Sequence, residues 1–98
     1  MRIIALKMLK DHWQLANRGD SEEALKAWYA IAKEASWQHF AQIKAQFRSA
    51  SAVGDRTVFN IAGNKYRLVT YVNYDFHTIY VRFVETHAEY DEVDVKHV

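Results

Sequence analysis

The chain has 98 residues, with no cysteine, no proline and only three glycines, and its formal net charge is +1. Without cysteine, disulfides and thiolate metal sites are excluded, and a cytosolic setting is the expectation. There is no long apolar run and no basic-then-apolar N-terminal segment, which argues against a membrane span or a secretory signal. Repeats, low-complexity tracts and linkers are missing as well. The five histidines stand at 12, 39, 77, 87 and 97 without ligand-like spacing on one helix, so neither a metal nor another cofactor is expected.

What is present is the composition of an ordinary globular protein, 50% hydrophobic and 26% charged, which suits a single domain spanning residues 1–98. A chain of this size hides roughly 60–70% of its unfolded surface, enough for one modest core. The small net charge conceals an asymmetry. Residues 56–82 carry Arg56, Lys65, Arg67 and Arg82 against Asp75, a balance of +3. Residues 83–98 carry Glu85, Glu89, Asp91, Glu92 and Asp94 against Lys96, a balance of −4. A basic middle beside an acidic end is the pattern of an anion-binding face.

Helices come first and strands second, as in an α+β domain. "RIIA" at 2–5 suits a short opening strand. Leu6, Leu9, Trp13 and Ala16 recur at helical spacing, which predicts an amphipathic helix over 6–17, ended by "NRGD" with Gly19. Asp20 and Glu23 have capping-box spacing. Leu25, Trp28, Ile31 and Ala35 mark the inner face of a second helix. Ser36 is the expected cap of a third segment with Trp37, Phe40, Ile43 and Phe47 inward. Residues 48–55, "RSASAVGD", read as loop. From Thr57 on, "TVFNIA" and "KYRLVTYVNY" flank Gly63-Asn64, a hairpin dipeptide, and "TIYVRFV" follows the turn "DFH".

Side chains alternate across a sheet, so register assigns faces. Pairing Ala62 with Lys65 sets Asn60 opposite Arg67, and pairing Tyr74 with His77 sets Val69 opposite Arg82. One face then collects Phe59, Ile61, Tyr66, Leu68, Thr70, Val72, Ile79, Val81 and Phe83, an apolar surface that calls for the helices. The other collects Asn60, Lys65, Arg67, Tyr71, Asn73, Tyr80 and Arg82, together with Val58, Val69 and Val84. At the strand end, Thr86 and Glu89 have capping-box spacing, which predicts a helical turn over 87–92 with His87 and Tyr90 as neighbours. The expected architecture is three N-terminal helices on one face of a strongly twisted antiparallel sheet, with the 2–5 segment as an added strand.

The polar face suits a phosphodiester. Guanidinium groups grip phosphate oxygens in bidentate fashion and can stabilise the added charge of a phosphoryl transition state. Histidine exchanges protons near neutral pH, and tyrosine can stack on a base or hydrogen-bond a phosphate. RNA carries its own nucleophile, the 2′-hydroxyl, so cleavage requires no metal. The same residues also fit blander roles: the arginines as a solvated face paired with the acidic tail, His87 as a structural side chain, Tyr90 as a packed ring. On the residues alone the reading stops at an α+β domain with an anion-binding face.

Two segments carry it further. "VFNIAGNKYRLVTYVNY" at 58–74 and "IYVRFVETHAEYDEVDV" at 79–95 closely resemble the HigB-type toxins of bacterial toxin–antitoxin systems, relatives of the RelE ribonucleases. The likeness is close over roughly the last 40 residues and looser through the helices. It implies a RelE-like fold and a cytoplasmic endoribonuclease that cleaves ribosome-bound mRNA and arrests translation. It also implies a neutralising HigA-type helix-turn-helix antitoxin, with operator DNA reached only through the toxin–antitoxin complex. By that resemblance Arg67 and Arg82 grip the scissile phosphate. His87 and Tyr90 take the positions of proton transfer or substrate orientation, with Lys65 assisting the arginines; Asn60, which rests on the strand register alone, and Arg56 complete the expected RNA contacts. The competing expectation is a non-catalytic RNA- or ribosome-binding module using the same face.

Overall fold

Alternating apolar and polar residues in the C-terminal half build a meander, and the N-terminal half supplies the helices that cover it. The computed structural model describes residues 1–14, 19–63 and 65–91, with only the backbone of His87 and Asp91. Ala16, Asn64 and the acidic Glu92 and Asp94 lie outside the described residues, as do the expected ends of the first and last helices at 17 and 92. In chain order the elements are β1 (Arg2–Ile4), α1 (Leu6–Trp13), α2 (Ser21–Glu34), α3 (Phe40–Gln46) and β2 (Ser51–Val53). These are followed by β3 (Arg56–Ile61), β4 (Tyr66–Asn73), β5 (Thr78–Thr86) and α4 (His87–Asp91).

Among the described residues the strands form a five-stranded sheet in the order β1-β5-β4-β3-β2. The 2–5 segment is a strand as expected, but it runs parallel to β5, pairing Ile3 with Ile79, so the sheet is mixed rather than wholly antiparallel. The stretch expected as loop contains β2, a short edge strand antiparallel to β3. Between β3 and β4, Ala62 and Gly63 have φ of 54° and 70°, consecutive left-handed residues that reverse the chain. The β4–β5 reversal is held by side chains. Phe76 N–H donates to Asn73 Oδ1 (3.2 Å) and Thr78 Oγ1 donates to the Phe76 carbonyl (3.0 Å).

The three N-terminal helices cover the apolar face. Phe59 is fully buried there, with its ring 5.4 Å from Trp28, 6.4 Å from Trp37 and 5.2 Å from Phe47. Leu68, Ile79 and Val81 from the sheet and Leu9, Leu25 and Ile43 from the helices complete the same core. Each such side chain contributes roughly 1.5–3 kcal/mol by leaving water. In α2 the buried stripe is Leu25, Trp28 and Ala32, while Ile31 is 42% exposed. Leu25 and Trp28 face inward as expected and Ala35 packs on the core; only Ile31 gives up its place, to Ala32.

The caps also differ in part. Ser36 caps nothing. Trp37 is buried in the connection before α3 and donates its Nε1–H to Gln46 Oε1 (2.6 Å), while the helix starts only after His39. Asp20 stands at the start of α2 without a side-chain bond to the helix. Its carboxylate instead accepts from Lys65 Nζ and the Tyr66 hydroxyl, clipping α2 to the β3–β4 hairpin. The Lys65 ammonium, followed by the Tyr66 hydroxyl, holds the Asp20 carboxyl below its ordinary range, and Asp20 raises Lys65 in return.

The opposite sheet face carries a second, smaller core. Val58 and Val69 are buried there, and Val53, Phe83 and Tyr90 pack against them. This two-core arrangement has a measurable consequence. Phe59→Ala should cost about 3–5 kcal/mol, comparable to the whole stability of a small domain. Phe83→Ala, at a half-buried position, should leave a folded protein with a smaller loss. Denaturant unfolding of both variants checks this; equal losses would mean that the second cluster is part of one continuous core.

Candidate functional site

Register decides which side chains share the outer face. β3 and β4 pair Arg56 with Tyr71, Val58 with Val69 and Asn60 with Arg67, the last as expected. β4 and β5 pair Tyr71 with Tyr80 and Thr70 with Val81, after which the ladder shifts and Val69 pairs with Phe83. Arg82 is therefore the extra residue of a β-bulge, not the partner of Val69. Beyond the bulge every assignment changes side. Phe83 moves to the outer face, Val84 packs against the main core, and Glu85 falls opposite Arg67. Bulges re-aim side chains in this way and are frequent beside active sites.

The outer face then reads as three rows across β3, β4 and β5: Arg56, Tyr71 and Tyr80; Val58, Val69 and Phe83; Asn60, Arg67 and Glu85. The cations lie against rings. Arg56 Cζ is 5.6 Å from the Tyr71 centroid, Arg67 Cζ is 5.7 Å from that of Tyr90, and Arg82 Cζ is 5.9 Å from that of Tyr80. Such contacts hold a guanidinium in place at little desolvation cost. Arg82 is exposed and Arg67 half-buried. Arg56 also bonds Asp55 at 2.9 Å, and its side chain is only 13% exposed. Lys65, expected beside Arg67, is tied to Asp20 at the start of α2.

The helical turn after β5 forms as its spacing predicts. Thr86 N–H donates to Glu89 Oε1 (2.9 Å) and Glu89 N–H donates to Thr86 Oγ1 (3.2 Å), a reciprocal capping box. The turn folds α4 back toward the outer face, where Tyr90 packs against Val58 and Val69 and meets Arg67. His87 opens α4; its side chain lies outside the described residues. Arg67, Arg82, Tyr90 and Asn60 thus share one face, and the backbone of His87 adjoins it.

Glu85 gains a significance that the sequence did not reveal. It is 8% exposed, and its Oε1 is buried without a hydrogen-bond partner. Burial, with a smaller contribution from Glu89, pushes its carboxyl up to about 7. A carboxyl that titrates near neutrality within a row of outer-face residues is a group suited to proton exchange. The only signal for it was the position of Glu85 two residues from Phe83, which acquires meaning once the bulge is known. Among the described residues no group of three or more His, Asp or Glu side chains converges as a metal site would require, and no helix is long and apolar enough to cross a membrane.

Glu85 also makes stability depend on pH. Its folded pKa of about 7 lies above the ordinary 4.5, so the folded state binds the proton more tightly. The stabilising contribution is complete below about pH 4.5 and is lost as pH rises through about 7. Glu85→Gln should therefore raise the melting temperature at pH 8 and change it little at pH 5, with a difference of at most roughly 3 kcal/mol. Thermal melts of both proteins at the two pH values check this, and an equal shift at both would remove Glu85 as the titrating group.

A family model described as HigB_toxin, the RelE-like toxic component of a toxin–antitoxin system, matches residues 21–93. No curated protein matches the chain.

Proposed function

The chain belongs to the HigB toxin family, the RelE-like toxic components of toxin–antitoxin systems, and from that premise we propose that it is a ribosome-dependent endoribonuclease that cleaves mRNA and halts translation. Membership makes it a toxin with an antitoxin as partner. The proposal adds the reaction, the ribosome as its setting, a helix-turn-helix antitoxin of the HigA type and a cytoplasmic site of action. The observation that carries it is the presentation of Arg67 and Arg82 on one sheet face, each seated on a tyrosine ring. Fixed cations aimed outward suit a phosphate whose charge grows in the transition state.

In the proposed reaction the message's own 2′-oxygen attacks the adjacent phosphorus in line. The bond from phosphorus to the 5′-oxygen of the next nucleotide breaks. The products are a 2′,3′-cyclic phosphate and a free 5′-hydroxyl. One proton leaves the 2′-hydroxyl and one reaches the departing 5′-oxygen. Arg67 and Arg82 stabilise the phosphorane, with Arg56 and Asn60 as contacts along the RNA. Lys65, tied to Asp20, is assigned to holding the hairpin rather than the substrate. His87 is the leading proton donor or acceptor because imidazole titrates near neutrality, and Tyr90 orients the substrate. Glu85 lies in the same row as Arg67 and is a second group able to hold a proton at neutral pH.

Arg82→Ala should abolish cleavage and spare the fold. The side chain is exposed, so its loss should change stability by about 0.5 kcal/mol or less. Loss of a preorganised charge at the phosphorane should slow the chemical step about 100- to 1000-fold. His87→Ala should slow it by on the order of 100-fold or more. Single-turnover cleavage of ribosome-bound message at saturating protein, with a parallel melt, measures both. Wild-type cleavage by the Arg82 variant would remove Arg82 from catalysis. A wild-type protein that binds ribosomes without cutting message would favour the non-catalytic binding module instead.

Expression of the toxin alone should stop growth, and co-expression of the antitoxin encoded beside it should restore growth. Colony counts with and without the antitoxin, together with an assay of soluble toxin, test this. Normal growth at high levels of soluble toxin would overturn the translation-arrest reading.

A further inference from the structure

In the row at the far end of the outer face Arg56 is already a contact along the RNA, whereas Tyr71 and Tyr80 have no part in the chemistry above. Tyr71 and Tyr80 are direct partners across β4 and β5, with ring centroids 6.2 Å apart and planes inclined by 38°. Both are half-buried, so part of each ring faces outward. A guanidinium flanks each end, Arg56 at Tyr71 and Arg82 at Tyr80. Along the strands this row lies four residues from the Asn60–Arg67 row, about 13 Å at the usual rise per residue. Beside Arg56 and Tyr71, a cleft of about 310 Å³ opens at the β2–β3 turn, and Phe40, Asp55 and Tyr74 help to line it.

Neither ring is needed by the cores: Tyr71 and Tyr80 belong to neither apolar cluster. Aromatic rings interleaved with arginines form the surface that single-stranded nucleic acids use, because bases stack on rings while guanidinium groups meet phosphates. Asp55, ion-paired with Arg56 at 2.9 Å, and Tyr74 line the adjoining cleft.

We infer that Tyr71 and Tyr80, flanked by Arg56 and Arg82, form a second RNA subsite that stacks unpaired bases away from the cleavage point. The inference rests on the reading of this protein as a toxin acting on RNA, and it deepens that reading by naming where the strand is held. Arg82 joins the two regions, since it belongs to the cleavage site and also seats on Tyr80. The bases come from one of two sources, the message flanking the scissile bond or exposed ribosomal RNA. The stacking chemistry is the same for both.

The test uses Tyr71→Leu and Tyr80→Leu, which retain an apolar side chain without a ring, and Tyr71→Phe and Tyr80→Phe, which retain the ring without the hydroxyl. Binding is measured by fluorescence anisotropy to labelled twelve-nucleotide single-stranded RNAs and, separately, to ribosomes without message. Melts accompany each variant. Each leucine variant should weaken binding roughly 5- to 100-fold, and each phenylalanine variant should bind like the wild type. In cleavage, Tyr71→Leu should raise KM with little change in kcat, whereas Tyr80→Leu also removes the seat of Arg82 and should lower kcat as well. Weakened binding to the oligonucleotides identifies the message as the source; weakened binding to ribosomes alone identifies ribosomal RNA. Unchanged binding to both probes by folded leucine variants overturns the inference, as does equal loss with phenylalanine. A wild-type protein that binds RNA but never cleaves would sink the nuclease reading while these binding ratios still decide the subsite.

Discussion

Arg82 is the one residue of β5 with no opposite number in β4: Thr70 pairs with Val81 and Val69 pairs with Phe83. Because side-chain direction alternates along a strand, a single inserted residue exchanges the faces of everything that follows. Before the bulge, Ile79 and Val81 point into the main core. After it, Val84 takes that role and Phe83 closes the second core on the other side. Were the ladder regular, Phe83 would lie under the helices, Val84 would lie on the outer face, and Glu85 would leave the row that contains Arg67. The bulge therefore both exposes Arg82 and builds the floor on which Tyr90 rests.

That floor explains the electrostatics of the outer face. Val58, Val69, Phe83 and Tyr90 exclude water from its middle. Arg67 lies at the margin of this apolar patch, stacked on Tyr90. Glu85, at the same margin, pays with a raised pKa, because burial disfavours its charged form. A phosphate arriving there would meet cations in a medium less polarisable than bulk water, where each contact counts for more. The capping box of Thr86 and Glu89 fixes α4 and so fixes the ring that seats Arg67.

Where the sequence was legible, the reason was locality. The β3–β4 register followed from a short connection, so Asn60 opposite Arg67 could be read directly. Thr86 and Glu89 needed only each other, three positions apart. The bulge was silent because Phe83 and Val84 are both apolar, and a shift by one residue replaces one apolar side chain with another. Asp20 was misread as a helix cap because its partners, Lys65 and Tyr66, lie 45 and 46 residues away. Ile31 and Ala32 exchanged places for a similar reason: both suit a helix interior, and only packing against the sheet chose the smaller. β2 escaped notice because Ser51, Ala52 and Val53 carry little strand signal before β3 pairs with them.

The two faces also divide their tolerance to change. Phe59 is locked by three aromatic neighbours, so alteration there is felt through the whole helical layer. The outer face mixes buried side chains, Val58 and Val69, with half-buried and exposed ones. Arg82 in particular sits where the ladder is already interrupted, so replacing its side chain disturbs no regular cross-strand pair. The backbone geometry that aims Arg82 is held instead by Val81 and Val84 in the main core and by Phe83 in the second. Aim and charge are thus supplied by different residues. The guanidinium can be varied with the backbone kept, whereas a change at Val81 or Phe83 would move the charge without removing it.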